Sequence, residues 1–220
     1  MQGTLEWKQL RAGKVTASRV ADVIAKTKSG YSASRANYMT ELVIQRFGVI
    51  SDGFTNSAMQ WGTETEPLAR IEYESRNLVS VKEVDFVNHP TIEMSGCSPD
   101  GLVGDGLIEI KCPNSNTHFE YLLADVVPEK YKPQMAWQMA CTGAQWCDFV
   151  SYDPRVPEGL QYFETRFYRY EEECIKLIET LESEVIKFLS EADDLYEKLK
   201  EKLNGQTVQP TASAQITKET

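Results

Sequence analysis

The chain has 220 residues, 41% of them hydrophobic and 10% aromatic, enough for one sizeable core and too few for two full domains. A net charge of −10 argues against a protein that coats nucleic acid indiscriminately, because such affinity comes from Lys and Arg neutralising phosphates; a local basic channel remains compatible with it. No apolar run approaches the roughly 20 residues that cross a bilayer, and the N-terminus lacks a basic and then apolar leader. The expectation is a soluble protein that stays in the cytoplasm where it is made, with no membrane partner.

The five cysteines, Cys97, Cys112, Cys141, Cys147 and Cys174, are odd in number and contain no C-x-x-C pair. That pattern predicts free thiols in a reducing compartment and weakens a structural zinc or iron-sulfur site.

In chain order, Trp7 to Lys26 reads as an entry loop and then a helix, with Thr16 or Ser18 as N-cap before Val20, Val23 and Ile24. Residues 27–32 break it. A second helix is predicted over about 34–47, with Tyr38, Leu42 and Val43 buried, followed by a loop at Ser51-Asp52-Gly53. Residues 63–75 read as a helix with Pro67 in its first turn. Four short β-branched runs follow, at 79–81, 84–87, 101–103 and 107–110. A helix over 133–142, strands over 147–152 and 163–168, and a long amphipathic stretch over 170–203 complete the pattern, with Ile175, Ile178, Leu181, Val185, Leu189, Leu195 and Leu199 on one side. Residues 205–220 have the composition of a disordered tail. The reading is one α/β domain over 1–204 with mixed strands.

Chemistry concentrates between Ser98 and Lys111. Two apolar strands flank Asp105-Gly106, a preferred two-residue hairpin turn. That turn would pair 104 with 107, putting Asp100 across from Lys111 and diagonal to Glu109, all on one face, with Val103, Ile108 and Ile110 on the other. Two carboxylates a few ångströms apart suit Mg²⁺ or Mn²⁺, and the ammonium can orient or help deprotonate a water. E-x-K alone is common by chance; Pro99-Asp100, a hairpin and Glu109-x-Lys111 together are the arrangement of the PD-(D/E)xK nucleases.

This centre supplies two of five motifs that follow in order: Leu10-Arg11-Ala12-Gly13-Lys14-Val15-Thr16-Ala17-Ser18; Trp61-Gly62 with Glu66 and Ala69-Arg70; Cys97-Ser98-Pro99-Asp100-Gly101; Glu109-Ile110-Lys111-Cys112-Pro113; and Gln134 with Gln138 and Thr142-Gly143. With them the chain resembles the lambda-exonuclease and YqaJ-type viral recombinase family from Trp7 to about Arg169. The resemblance implies a restriction-endonuclease-like fold, a mixed central sheet flanked by helices.

The resemblance also implies roles. Asp100, Glu109 and Glu66 would be metal-binding carboxylates, the Ile110 carbonyl a further ligand, Lys111 the catalytic lysine and Gln134 a glutamine near the attacking water. Glu64 is a rival for the role of Glu66, and Glu66 could simply be a first-turn glutamate favoured by a helix dipole. Gln134 and Gln138, at i and i+4, would equally suit a solvated face. Arg11, Ser18 and Ser98 match the family's pocket for a 5′ phosphate, and Lys28 stands in a loop where relatives carry an arginine near DNA. Pro133 suggests that the following helix begins late, which leaves Tyr131 outside the expected site.

The implied activity is Mg²⁺-dependent 5′→3′ digestion of one strand of double-stranded DNA from a 5′-phosphorylated end, with two ions per site and Mn²⁺ as a substitute. A ring-shaped homotrimer and a single-strand annealing recombinase partner are implied with it. An endonuclease with the same metal centre and a non-catalytic DNA-end-binding module are the competing readings.

Overall fold

The structure, a computed structural model, describes residues 4–50 and 56–206. The chain opens with α1 (Leu5–Arg11), β1 (Val15–Thr16) and α2 (Val20–Ile24), then a small hairpin of β2 (Lys26–Thr27) and β3 (Gly30–Tyr31). Two longer helices follow, α3 (Ala33–Arg46) and α4 (Ser57–Asn77), and then β4 (Val87–Asn88), β5 (Ser95–Cys97), β6 (Gly101–Val103) and β7 (Gly106–Lys111). The rest is α5 (Ser115–Ala124), α6 (Lys132–Thr142), β8 (Trp146–Tyr152), β9 (Tyr162–Tyr168) and α7 (Glu172–Gln206).

The main sheet has the order β6-β7-β8-β9, with β7 and β8 parallel and both outer pairs antiparallel. The parallel pair needs a crossover, which α5 and α6 supply. A smaller sheet, β1-β5-β4, carries the N-terminal segment beside it, with β1 parallel to β5. The fold is thus the expected mixed α/β arrangement, with sheets flanked by helices.

Alternation along β7 divides the core in two. Leu107 faces a large cluster in which Trp137, Met135 and Met139 of α6 meet Phe149 and the α7 stripe Ile178, Leu181, Val185 and Phe188. Ile108 and Ile110 face the other way, with Val103 and Val150, onto Ala69 and Tyr73 of α4. The main sheet therefore sits between α4 and the α6–α7 layer. The buried side of α7 runs from Cys174 through Ile178, Leu181, Val185 and Leu189 to Ala192, whereas Ile175 and Leu199, expected on that side, are exposed. None of the helices described is long and apolar enough to cross a membrane.

Several local expectations are corrected. The predicted entry loop contains α1, capped by Thr4, whose side chain accepts from Trp7 N. The 27–32 break is a β-hairpin with Lys28 near its tip. The predicted strand at 79–81 and most of 84–87 reduce to one bridge, Lys82 to Leu102, and to β4. Helix α4 starts at Ser57, capped by Asn56, so Pro67 lies mid-helix and not in the first turn. Proline there removes the bond that the Thr63 carbonyl would accept, a local cost of about 3 kcal/mol that burial of Ala69 and Tyr73 must offset. The Ser51-Asp52-Gly53 loop and residues 207–220 of the expected tail lie outside the described residues.

Candidate active site

The β6–β7 hairpin builds the centre, with a turn different from the expected one. Val103 pairs with Gly106, so the two turn residues are Gly104 and Asp105. Gly104 has φ +58°, and only the first turn residue is left-handed, the φ pattern of a type II′ turn with glycine first. Gly106 is needed within the strand, because a Cβ there would lie 2.1 Å from the Trp146 ring. Every cross-strand partner thereby moves by two residues, and continuing the register puts Asp100 opposite Glu109 and not Lys111. An even shift preserves the face, so Asp100, Glu109 and Lys111 stay on one side.

Glu109 is buried at 1% exposure and receives three donors. Gln134 Nε2 donates to Oε1 and Gln138 Nε2 to Oε2, each at 2.7 Å, and Lys111 Nζ forms an ion pair with Oε1. The two glutamines are one turn apart on α6 and face inward, so the solvated-face reading of them is wrong. Asp100 Oδ2 accepts the Ile110 backbone N–H at 2.7 Å, which joins the start of β6 to the end of β7. Ile110's own side chain lies in the core under α4.

Glu66 approaches from α4. Its carboxylate bonds Arg70 at 2.8 Å, and Arg70 also pairs with Glu83 at 2.7 Å. Glu64 is exposed on the outer face and accepts from Gln60. Of the two glutamates, Glu66 is the one that shares the electrostatics of Glu109 and Lys111.

Those electrostatics are those of crowded acids. Burial, and then the Glu109 and Glu66 charges, push the Asp100 carboxyl well above the ordinary range against the pull of Lys111. Burial and Glu109 raise Glu66 despite Arg70. Burial, Glu66 and Asp100 together push the Cys112 thiol up to about 12. Burial alone would lower the Lys111 ammonium, but Glu109 and Asp100 outweigh it and hold the pKa above its usual value. The group therefore stands as a cation.

Asp100 and Glu66, both raised in part by the Glu109 charge, have with Glu109 the donor chemistry and the excess negative field that a hard divalent cation would neutralise. Among the described residues no three acids converge at ligand spacing; Glu66 is turned to Arg70 instead. The residues present thus fit such an ion through Asp100 and Glu109, with Glu66 within electrostatic reach.

Tyr131, left outside the site on sequence, belongs at its wall. Lys132 opens α6 and Pro133 sits in the first turn, where its missing N–H costs nothing. The helix therefore does not begin late, and Tyr131 places its ring 5.2 Å from Lys111 Nζ while stacking on Phe149. The aromatic between Lys130 and Pro133 is the signal that a reading of the helix start would have needed.

Arg11, Ser18 and Ser98 also meet. Arg11 donates to Ser98 Oγ at 3.2 Å and to Ser18 Oγ at 3.3 Å. Trp7 completes the group, with Nε1 on Ser98 Oγ at 3.0 Å and its ring 4.0 Å below the guanidinium. Burial lowers the Arg11 pKa, with no carboxylate opposing it. Ser98 lies two residues before Asp100, so this acid-free cation adjoins the carboxylates. Lys28 is exposed on its hairpin and, among the described residues, makes no bond to any of these groups.

A hairpin that presents one aspartate, one glutamate and one lysine on a single face, with a helix-borne glutamate beside them, has the design of the PD-(D/E)xK nucleases. The YqaJ-like viral recombinase domain model matches residues 6–145, and the chain belongs to that family. The fold is similar to that of the alkaline exonuclease LHK-Exo from Laribacter hongkongensis, at 51% identity over 92% of this chain and 100% of the other, with a TM-score of 0.84. LHK-Exo in complex with dAMP gives 0.85 at the same identity and coverage. A phage-related exonuclease from Haemophilus somnus 129PT, 17% identical over 87% of this chain and 99% of its own, shares the fold with a TM-score of 0.62. No curated protein matches the chain in sequence. The chain is accordingly a nuclease of the phage exonuclease and recombinase type.

Proposed function

We propose that the protein is a Mg²⁺-dependent 5′→3′ exonuclease that digests one strand of double-stranded DNA from a 5′-phosphorylated end, releases mononucleotides and leaves a 3′ single strand for annealing. One observation carries the reading: the acid-free Arg11 is bonded to Ser18 and to Ser98, and Ser98 stands two residues along the chain from Asp100. A guanidinium and two hydroxyls suit a terminal phosphate dianion, and only an enzyme that starts at ends gains from such a pocket. That LHK-Exo has been solved in complex with dAMP is in keeping with a mononucleotide product.

Asp100 and Glu109, with Glu66 and the Ile110 carbonyl, would hold the ion, or two ions, and Mn²⁺ would substitute. When bound, the metal supplies an activated water and charge neutralisation at the scissile phosphate. Gln134 and Gln138 fix both oxygens of Glu109, and the Gln134 carbonyl oxygen remains to accept from a water. Lys111, kept cationic by Glu109 and Asp100, stabilises negative charge on the reacting oxygens. Tyr131 walls the lysine on one side.

A homotrimeric ring, a single-strand annealing partner and a place in the bacterial cytoplasm belong to the same reading. A ring would retain an acidic protein on DNA by topology in place of some electrostatic affinity. The test is digestion of linear and closed circular duplex with Mg²⁺: cleavage of the linear form alone supports the exonuclease, and cutting of circles supports an endonuclease.

A further inference from the structure

Lys130 precedes Tyr131 in the turn before α6 and is exposed. Its Nζ lies 4.9 Å from the centre of the Tyr131 ring, and Lys111 Nζ lies 5.2 Å from the same centre. The two ammonium groups are therefore within about 10 Å of each other. The Tyr121 ring lies 5.4 Å from Lys130 as well.

Its charge is uncompensated. Lys132, two residues on, pairs with both Glu129 at 2.6 Å and Glu173 at 2.7 Å. Arg155 and Arg166 pair with Asp153 and Asp148. Among the described residues Lys130 has no carboxylate at ion-pair distance, although acids outnumber bases by ten across the chain. Its partners are Tyr121 and Tyr131, through their hydroxyls and their rings, and neither brings a negative charge, which leaves the exposed ammonium able to bind an anion on its open side. A cation left unpaired beside a crowded acidic centre opposes the local field.

We propose that Lys130 binds a backbone phosphate of the DNA strand close to the scissile one, and so positions the substrate at Lys111. This inference rests on the DNA nuclease reading. Duplex DNA carries one phosphate per about 3.4 Å of axis on each strand, so a cation within about 10 Å of Lys111 meets a phosphate about three nucleotides or fewer from the cleaved bond. Both cations lie against the one Tyr131 ring, so Lys111 would serve the reacting phosphate and Lys130 a neighbouring one.

The test is the salt dependence of binding to a 5′-phosphorylated duplex in EDTA, between 50 and 200 mM NaCl, for wild type, Lys130→Ala, Lys130→Arg and Lys176→Ala. Removing one phosphate contact lowers the slope of log affinity against log salt by about 0.9. The deficit of Lys130→Ala should then be about 3.5-fold larger at 50 mM than at 200 mM. Lys130→Arg should restore the slope, and Lys176→Ala, a surface lysine paired with Glu172, should leave it unchanged. With Mg²⁺, Lys130→Ala should raise KM and leave kcat within about twofold. An unchanged slope in Lys130→Ala, while wild type binds and digests the duplex, overturns this inference alone. A wild type that neither binds nor cuts DNA overturns the nuclease reading and this inference with it.

Discussion

Gln138 Nε2 donates to Glu109 Oε2 at 2.7 Å from a position with no solvent exposure, so a neutral amide inside α6 orients one oxygen of the most buried acid in the site. Gln138→Leu keeps the volume and removes the donor. The account expects a stability loss of about 1–3 kcal/mol in urea denaturation, because a buried acceptor loses its partner. It also expects about 10- to 100-fold lower activity or Mg²⁺ affinity, the usual effect of losing a group that orients a ligand. Unchanged Mg²⁺ dependence would show that Glu109 needs no such support.

Asp100→Asn and Glu109→Gln remove charge at nearly constant shape, and each should abolish cleavage while far-UV circular dichroism stays that of wild type. Lys111→Ala should lose most of the rate and keep metal and DNA binding, since Lys111 is a cation held by the acids and not a ligand. Loss of metal binding before loss of rate would reverse that role.

Arg11→Ala should shrink the preference for 5′-phosphorylated over 5′-hydroxyl ends more than it slows digestion at saturating DNA, because its two hydroxyl partners leave a bidentate cation for the terminal phosphate. A time course on both ends measures this, and a preference that survives the substitution would place the terminal phosphate elsewhere.

His89 makes a separate, pH-linked prediction. Its Nδ1 faces the backbone N–H groups of Thr91 at 3.3 Å and Ile92 at 3.1 Å, and its ring stacks on Trp137 at 4.9 Å. Nε2 faces Glu182 Oε1 at 3.4 Å without meeting hydrogen-bond geometry, and Arg169 adds an opposing charge. Burial lowers the imidazole pKa, Glu182 notwithstanding, and protonation would take the lone pair that accepts both amides. A lowered folded pKa gives stability that is complete above the unfolded value of about 6.5 and is lost as pH falls through the folded value. Melting temperatures between pH 8 and pH 5 should fall less steeply for His89→Asn than for wild type. Parallel curves would remove His89 from the acid response.

Gly106→Ala should destabilise by about 1–3 kcal/mol or more, because the new methyl meets the Trp146 ring at 2.1 Å. An equally stable variant with wild-type activity would mean that the hairpin and Trp146 can separate without disturbing the site.

The chemistry of the hairpin was legible because strand alternation has a period of two. Asp100, Glu109 and Lys111 share a face under either turn, even though Gly104-Asp105-Gly106 offers two good turn dipeptides and the choice depends on Trp146, 40 residues beyond Gly106. The inward direction of Gln138 was not legible, since an i, i+4 pair of amides reads alike on a wet face and on a buried carboxylate. Tyr131 was missed through Pro133, which signals a helix start as readily as a break. Pro67 misled in the opposite sense: it looked like a first-turn proline, whereas Asn56 caps the helix well before it. Arg11 became interpretable only once α1 placed Trp7 under it.

The central claim is end-dependent, metal-dependent cleavage at the Asp100–Glu109 centre. Its most direct measurement is acid-soluble mononucleotide released from a linear duplex with one 5′-phosphorylated end, beside the same duplex as a closed circle, with Mg²⁺ or EDTA, for wild type and Asp100→Asn. The account predicts release from the linear substrate by wild type with Mg²⁺, faster loss of the 5′-phosphorylated strand, and none from the circle, in EDTA or with the variant. Release from the circle, release in EDTA, or near-normal turnover by Asp100→Asn would contradict it.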